Sequence, residues 1–523
     1  MPKKSNGAIA CGHPQTAQAA AEILSDGGTA FDAVLAAFAA ACVVEPVLAS
    51  LGGGGYLLTY PLHGAPVVYD FFVQTPSRRP GSVAEVEASD FYAIDANFGT
   101  ATQQFHIGLG AMATPGSVKG LFRVHEDLAG MPMARLLEPA IRMAKEGWTL
   151  RPQDAFLLKV IEPILLATSQ SRALFVHDNG KLRTAGERMT YPAMADSLEA
   201  LACEGEALFY RGDMAQELAR LCRDGGGWLG LDDLASYQVH LRQPLIREHR
   251  GARLMTNPPP SAGGILVALT LALLGEIDLA DRPPLDALDV LAQAMCLTNQ
   301  ARRQVEDSSH EDKSPKTGFR LLDTALLQSY QASMRQHPLS PRGTTHISIA
   351  DSAGNMAALS LSNGEGCGHL MGSSGIILNN MLGEEDLNPA GFHNWPADTR
   401  MASMMAPTMG FLPNGTAVAL GSGGSNRIRS AILQVLLRLI HFGDNIDQAT
   451  AWPRLHIERN GTANLEKGLP DGAGDRLAPR VETIVQWPAN NMFFGGVHGV
   501  TRDSHGNVAA AGDPRRGGAA LVV

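Results

Sequence analysis

The sequence has no CxxC pair, no surplus of positive charge and no apolar run long enough to span a membrane, and each absence removes a class of function. The six cysteines, Cys11, Cys42, Cys203, Cys222, Cys296 and Cys367, are scattered without zinc-site spacing, and several stand in apolar helical contexts that suit reduced, buried thiols. The 42 Lys and Arg against 52 Asp and Glu leave a formal charge of −10, which offers no footprint for a phosphate backbone or anionic lipid. Nucleic acid and membrane are therefore not expected partners. The most apolar window, Phe31 to Val44, contains Asp32 and is too short for a membrane span, so it reads as a buried core helix. No apolar stretch follows Lys3 and Lys4 before the polar run His13 to Gln18, so no secretory signal is legible and the cytoplasm is the expected compartment.

Familiar catalytic signatures are missing too. The run Gly52-Gly53-Gly54-Gly55 fits neither a dinucleotide fingerprint nor a phosphate-binding loop, and it implies instead close backbone approach before an apolar strand. No GxSxG elbow is present. Cys367 and His369 in "EGCGHL" form the nearest thing to a nucleophile and base pair, with a packed structural cysteine as the plainer reading.

What is present is a large compact chain of 523 residues, 45% hydrophobic, punctuated by 56 Gly and 31 Pro. It opens helix, turn, helix, glycine run, strand, and the pattern from about Met133 to Leu221 is mostly helical. The stretch "LDDLASYQVHLRQPL" reads as a strand, and "MTNPPPSAGGILVALTLALL" as a rigid proline corner before a buried helix. Between Asp307 and Arg342 the chain turns polar, and beyond it strands are expected at 344–350, 355–361, 375–380 and 416–420, the last running through "GSGGSNRI" into a long helix. No repeat of fixed period interrupts this order, and strands under buried helices point to a layered α/β sandwich.

The polar segment leads directly into Gly343-Thr344-Thr345 at the head of a strand. A threonine made chain-terminal by cleavage has its own α-amine as general base, and such an amine titrates near about 8, close enough to neutrality to accept a hydroxyl proton. The small Gly343 lets the Thr344 hydroxyl reach the carbonyl before it. Gly423 and Gly424 in "GSGGSNRI" stand between a strand and a helix, where exposed backbone N–H groups suit an oxyanion, although a phosphate-binding turn or a simple helix entry would look the same.

Eight segments, "ILSDGGTAFDA", "LGGGGYLLTY", "ATPGSVKGL", "NPPPSAGGI", "GTTHISIADSAGN", "SSGIILNNML", "MASMMAPT" and "GSGGSNRI", occur in one order across nearly the whole chain. In them the sequence resembles the γ-glutamyltransferase family of self-processing N-terminal-nucleophile hydrolases. The resemblance implies an αββα four-layer sandwich, cleavage between Gly343 and Thr344, a large chain of 1–343 and a small chain of 344–523. It also implies an acyl-enzyme on Thr344 with no metal or cofactor, and large and small chains that stay associated, with a dimer of such heterodimers as one arrangement.

Carried over by position, the resemblance makes Ser362 a hydroxyl neighbour of the nucleophile, Asn363 and Glu384 or Glu385 ligands of a substrate amino group, and Gly423-Gly424, or Gly424-Ser425, the oxyanion pair. The carboxylate-binding end departs from the family. "DFFVQTP" puts Phe72 where an arginine clamp is usual, the serine pair becomes Ser403-Met404, and Met381 stands for a glutamine. Arg78, Arg79 and Arg400 are the neighbouring arginines able to restore a clamp. γ-Glutamyl amides such as glutathione are the first expected substrate; a second reading keeps the machinery and changes the small amide, as in the family's oxamate-hydrolysing branch. A third is a non-catalytic binding protein, which predicts a chain that stays whole.

Overall fold

A computed structural model describes residues 5–97, 102–308, 343–388 and 391–523, so most of the polar segment before Gly343 lies outside the described residues. Two antiparallel sheets face each other. The seven-stranded sheet runs, edge to edge, Ala519–Val522, Gly7–Cys11, Thr345–Asp351, Met356–Ser362, Gly54–Tyr60, Val67–Phe71 and His240–Arg242. The six-stranded sheet runs Val508–Ala511, Gly496–Arg502, Ala417–Gly423, Thr408–Phe411, Ala252–Thr256 and Leu245–His249. Both of these sheets mix strands from before and after Gly343, so neither part of the chain completes either of the two by itself.

Strand alternation sorts the core into layers. Ile9, Leu57, Ile347, Ile349 and Leu359 face the helices Pro14–Ser25, Ala30–Val44, Ser117–Leu128, Met133–Glu146 and Pro192–Glu204. Ala8, Ala10, Leu58, Ala350 and Ala358 face the second sheet, whose far side carries Ala262–Leu274, Arg427–His441 and Pro284–Ser308. The result is the αββα four-layer sandwich. Ala30–Val44 is buried on every side, and its alanines let flanking layers approach closely. Asp32, the one charge in that run, closes a capping box with Thr29 and accepts from Gly130 N and Met131 N, both at 2.9 Å.

The glycine run behaves as its sequence implies. A Cβ on Gly52, Gly53 or Gly55 would lie 2.3–2.4 Å from the carbonyl oxygens of Ile377, Ser362 and Ser360 respectively. Two expectations fail. Residues 375–380 form no strand, because Ile377 and Leu378 make only single bridges, to Leu370 and Gly52. "LDDLAS" is a helix, Leu231–Ser236, begun by Asp233 accepting from Gly230 N at 2.7 Å, and strand starts only at His240. Among the described residues no helix is long and apolar enough to cross a membrane.

Candidate active site

Thr344 stands at the head of the strand Thr345–Asp351, inside the seven-stranded sheet, and is 5% exposed. Its Oγ1 donates to the Gly343 carbonyl at 2.8 Å, and Ser362 Oγ donates to the same carbonyl at 2.8 Å. The Gly364 N–H donates in turn to Ser362 Oγ at 3.2 Å, which strengthens the serine as a donor. One peptide carbonyl thus carries two hydroxyl donors, one belonging to the residue that follows it. The pairing of the two central strands explains the meeting, since Thr345 opposes Leu361 and places Ser362 beside Thr344.

The residues behind Thr344 hold it still. Thr345 Oγ1 and Thr16 Oγ1 donate to Glu45 at 2.8 and 3.1 Å, and burial pushes the Glu45 carboxyl above its usual range against the pull of His13 and these hydrogen bonds. Arg151 binds Asp154 at 2.7 Å and the carbonyls of Gly12 and Gly517 at 3.2 and 2.8 Å. Burial pushes the Asp154 carboxyl up, but His13 and Arg151 outweigh it and hold the group at about 2. His346 bonds Ser360 and Ser348 at 2.8 and 2.9 Å, and burial first, then His498, holds its imidazole neutral. It is a strut of the strand.

The six-stranded sheet reaches the same point. Gly423 ends its strand paired with Gly496, and a Cβ there would lie 2.0 Å from the Thr344 carbonyl oxygen. Gly424 follows at φ +121, a conformation side chains rarely adopt, and Ser425 at φ +49 turns the chain into Arg427–His441. The buried Arg516 guanidinium donates to the Thr344 carbonyl at 3.4 Å, and burial, then neighbouring Arg427, brings it down to about 10.

The residues expected from the sequence to bind substrate separate. Glu384 is buried, its Oε1 2.4 Å from where a Gly364 Cβ would sit, whereas Glu385 is exposed, so of the two only Glu384 packs against the Ser362–Gly364 turn. Asn363 is fully buried, and its side-chain Oδ1 and Nδ2 have no hydrogen-bond partner among the described residues. Ser403 is buried, accepts from Met405 N at 3.1 Å and offers its carbonyl to Ser261 Oγ at 3.0 Å.

Phe72, Met381 and Met404 share one apolar cluster, with Phe72 stacked on Tyr56 at 5.6 Å between centroids. Of the three neighbouring arginines, none replaces the clamp. Arg400 is buried against the Phe72 carbonyl, Asp70, Gln238 O at 2.6 Å and the Tyr237 hydroxyl at 2.6 Å, while Arg78 and Arg79 are exposed. The Cys367 and His369 pair also dissolves: burial pushes the thiol far up, and His369 Nε2 meets Asp90 at 2.9 Å.

One residue was missed. Glu365, 5% exposed, accepts from Gly343 N at 2.8 Å, and its own N–H donates to Asn380 Oδ1 at 3.0 Å. The signal available was an acidic residue between glycines in "NGEG", both of which prove to be left-handed, Gly364 at φ +61 and Gly366 at φ +87. Asn379 ties the same region to Gly52 O and Ala113 O at 2.8 and 2.9 Å. Among the described residues no cluster of three His, Cys, Asp or Glu side chains is placed to hold a metal ion.

Comparison with known proteins places this geometry. A family profile described as gamma-glutamyltranspeptidase matches residues 16–523. The acylase ACY 1 proenzyme of Pseudomonas sp. (strain SE83) is 28% identical, covering 99% of this chain and 94% of its own, and the glutathione hydrolase proenzyme of Escherichia coli (strain K12) is 27% identical, covering 98% and 91%. The crystal structure of cephalosporin acylase from Bacillus halodurans superposes with a TM-score of 0.85 at 22% identity, covering 99% of this chain and 96% of that one, a likeness of fold. With the profile spanning nearly every residue and the αββα layers matching, the chain belongs to the gamma-glutamyltranspeptidase family of N-terminal-nucleophile amide hydrolases.

Proposed function

We propose that the chain cuts itself between Gly343 and Thr344 and then hydrolyses a small amide through an ester on Thr344. The observation that carries this reading is the Gly343 carbonyl held by both the Thr344 and Ser362 hydroxyls at 2.8 Å. In the first step Thr344 Oγ1 bonds to the Gly343 carbonyl carbon, the C–N bond breaks and the hydroxyl proton ends on the Thr344 nitrogen. Water then hydrolyses the ester, leaving a Gly343 carboxylate and a Thr344 with free hydroxyl and α-amine. The same cycle runs on substrate: the amine takes the hydroxyl proton, the acyl group moves to Oγ1, and the amine gives the proton to the leaving group. Gly423 and Gly424 are the proposed oxyanion residues, and residues 1–343 and 344–523 the chains, kept together by their interleaved sheets.

The substrate is read as a small amide other than a γ-glutamyl one. Removing one partner of a buried charge pair typically costs about 2–5 kcal/mol, and here Phe72 in an apolar cluster fills the clamp position. The names of the relatives include both acylases and glutathione hydrolases, so relatedness alone does not choose. The test is the intact mass of wild-type protein beside Thr344→Ala, followed by glutathione and small-amide hydrolysis assays on the processed form. Separation at Gly343 and Thr344 in the wild type only, with no glutathione turnover, is expected. A wild type that stays at 55.4 kDa sinks the mechanism and brings forward the binding-protein reading, and rapid glutathione hydrolysis sinks the substrate reading.

A further inference from the structure

Resting on that reading of Thr344, we infer that Glu365 is a specificity-determining residue that binds an amino group on the acyl half of the substrate, making small aminoacyl amides without a carboxylate the preferred class. In the uncut chain Gly343 is itself the acyl group presented to Thr344. Its carbonyl takes the two hydroxyl hydrogen bonds, and its nitrogen, two bonds from the carbonyl carbon, donates to Glu365 Oε1 at 2.8 Å. Once the ester is hydrolysed Glu365 loses this donor, while the left-handed Gly364 and Gly366 and the bond from its own N–H to Asn380 Oδ1 fix the backbone that carries the carboxylate. A substrate whose acyl carbonyl occupies the position of the Gly343 carbonyl brings a nitrogen on its α-carbon to the same oxygen.

Charge points the same way. A second buried carboxylate, Glu384, packs against Gly364 next to Glu365, whereas Phe72 stands where the family resemblance puts the arginine that would answer a substrate carboxylate. Arg400 is taken up by Asp70, Tyr237 and backbone carbonyls, and Phe72, Met381 and Met404 close that end with apolar atoms. Among the described residues an anionic acyl group meets like charge there and an ammonium meets opposite charge, which separates the two classes by repulsion as well as attraction.

The experiment compares glycyl-, acetyl- and malonyl-p-nitroanilide on wild type and Glu365→Gln, each first checked by intact mass for cleavage at Gly343. The expected result is a wild-type kcat/KM for the glycyl compound at least about tenfold above the other two, a ratio that collapses in Glu365→Gln mainly through the KM of the glycyl compound. Equal or faster turnover of the malonyl or acetyl compound by wild type overturns the inference, as does a glycyl preference that survives in processed Glu365→Gln. Where the variant is not processed, inhibition of processed wild type decides: glycinamide must compete at least about tenfold better than acetamide. Wild type that remains uncut overturns the parent reading itself, a result that mass alone reveals.

Discussion

The two ends of this site are built from opposite materials. Around Thr344 stands a set of engaged polar groups: hydroxyls on the Gly343 carbonyl, Glu45 beneath Thr345, Arg151 and Asp154 behind Gly12. Where the family resemblance places its carboxylate clamp, Phe72, Met381 and Met404 are buried in one apolar core cluster. Chemistry that requires a fixed geometry tolerates few changes of residue, whereas a specificity wall needs only a shape and a charge. One end is thereby retained and the other rebuilt.

The largest effect should come at the retained end. Thr344→Ala removes the hydroxyl proposed to attack, and turnover is expected to fall by at least about 10⁴-fold with the chain left whole, seen together by assay and intact mass. At the rebuilt end, Phe72→Arg is expected to fail as a repair. It sets a new cation beside Arg400 inside the apolar cluster, so thermal or denaturant unfolding should show a loss of about 3–5 kcal/mol, with no γ-glutamyl anilide turnover gained. Recovery of that activity would mean the clamp alone was missing and would collapse the contrast.

Ser362→Ala tests whether the second hydroxyl contributes to the reaction. Loss of one donor to the carbonyl should slow self-cleavage by about 10²- to 10³-fold, measured as the time course of chain separation, and unchanged kinetics would make Ser362 a spectator.

The smallest effect concerns the support behind Gly12. Because Asp154 is held at about 2, below its ordinary 3.8, it stabilises the fold above pH 3.8, and that stability is lost as pH falls through about 2. Asp154→Asn should therefore cost about 2 kcal/mol at pH 7 and flatten the decline between pH 4 and 2 in denaturant titrations. A variant with the parent's acid profile would show that Arg151 and His13 do not lean on this carboxylate.

Much of the fold was legible because its signals are local. Gly27 and Gly28 ending one helix, the Thr29 cap of the next, and four glycines before a strand depend on neighbours in sequence. The segment 375–380 misled for the opposite reason. Its Ile and Leu suit a strand, but Leu378 is caught by Gly52 and by His369, and Ser50 Oγ takes the Ile377 carbonyl at 2.6 Å, leaving no ladder to extend. Glu384 and Glu385 were equivalent as letters, and only the turn that buries one and exposes the other told them apart.

By itself the sequence determined the layer order, the family, and Gly343-Thr344 as the place where chemistry is expected, since periodicity, glycine placement and ordered motifs are written along the chain. Only the tertiary structure decided that the clamp position is sealed core, that Arg400 is spent on Asp70 and Tyr237, and that Glu365 meets the Gly343 nitrogen. Those facts depend on contacts that run from 22 positions apart, for Gly343 and Glu365, to more than 300, for Asp70 and Arg400, and the direction of a buried side chain is set by what packs around it rather than by its neighbours in the chain.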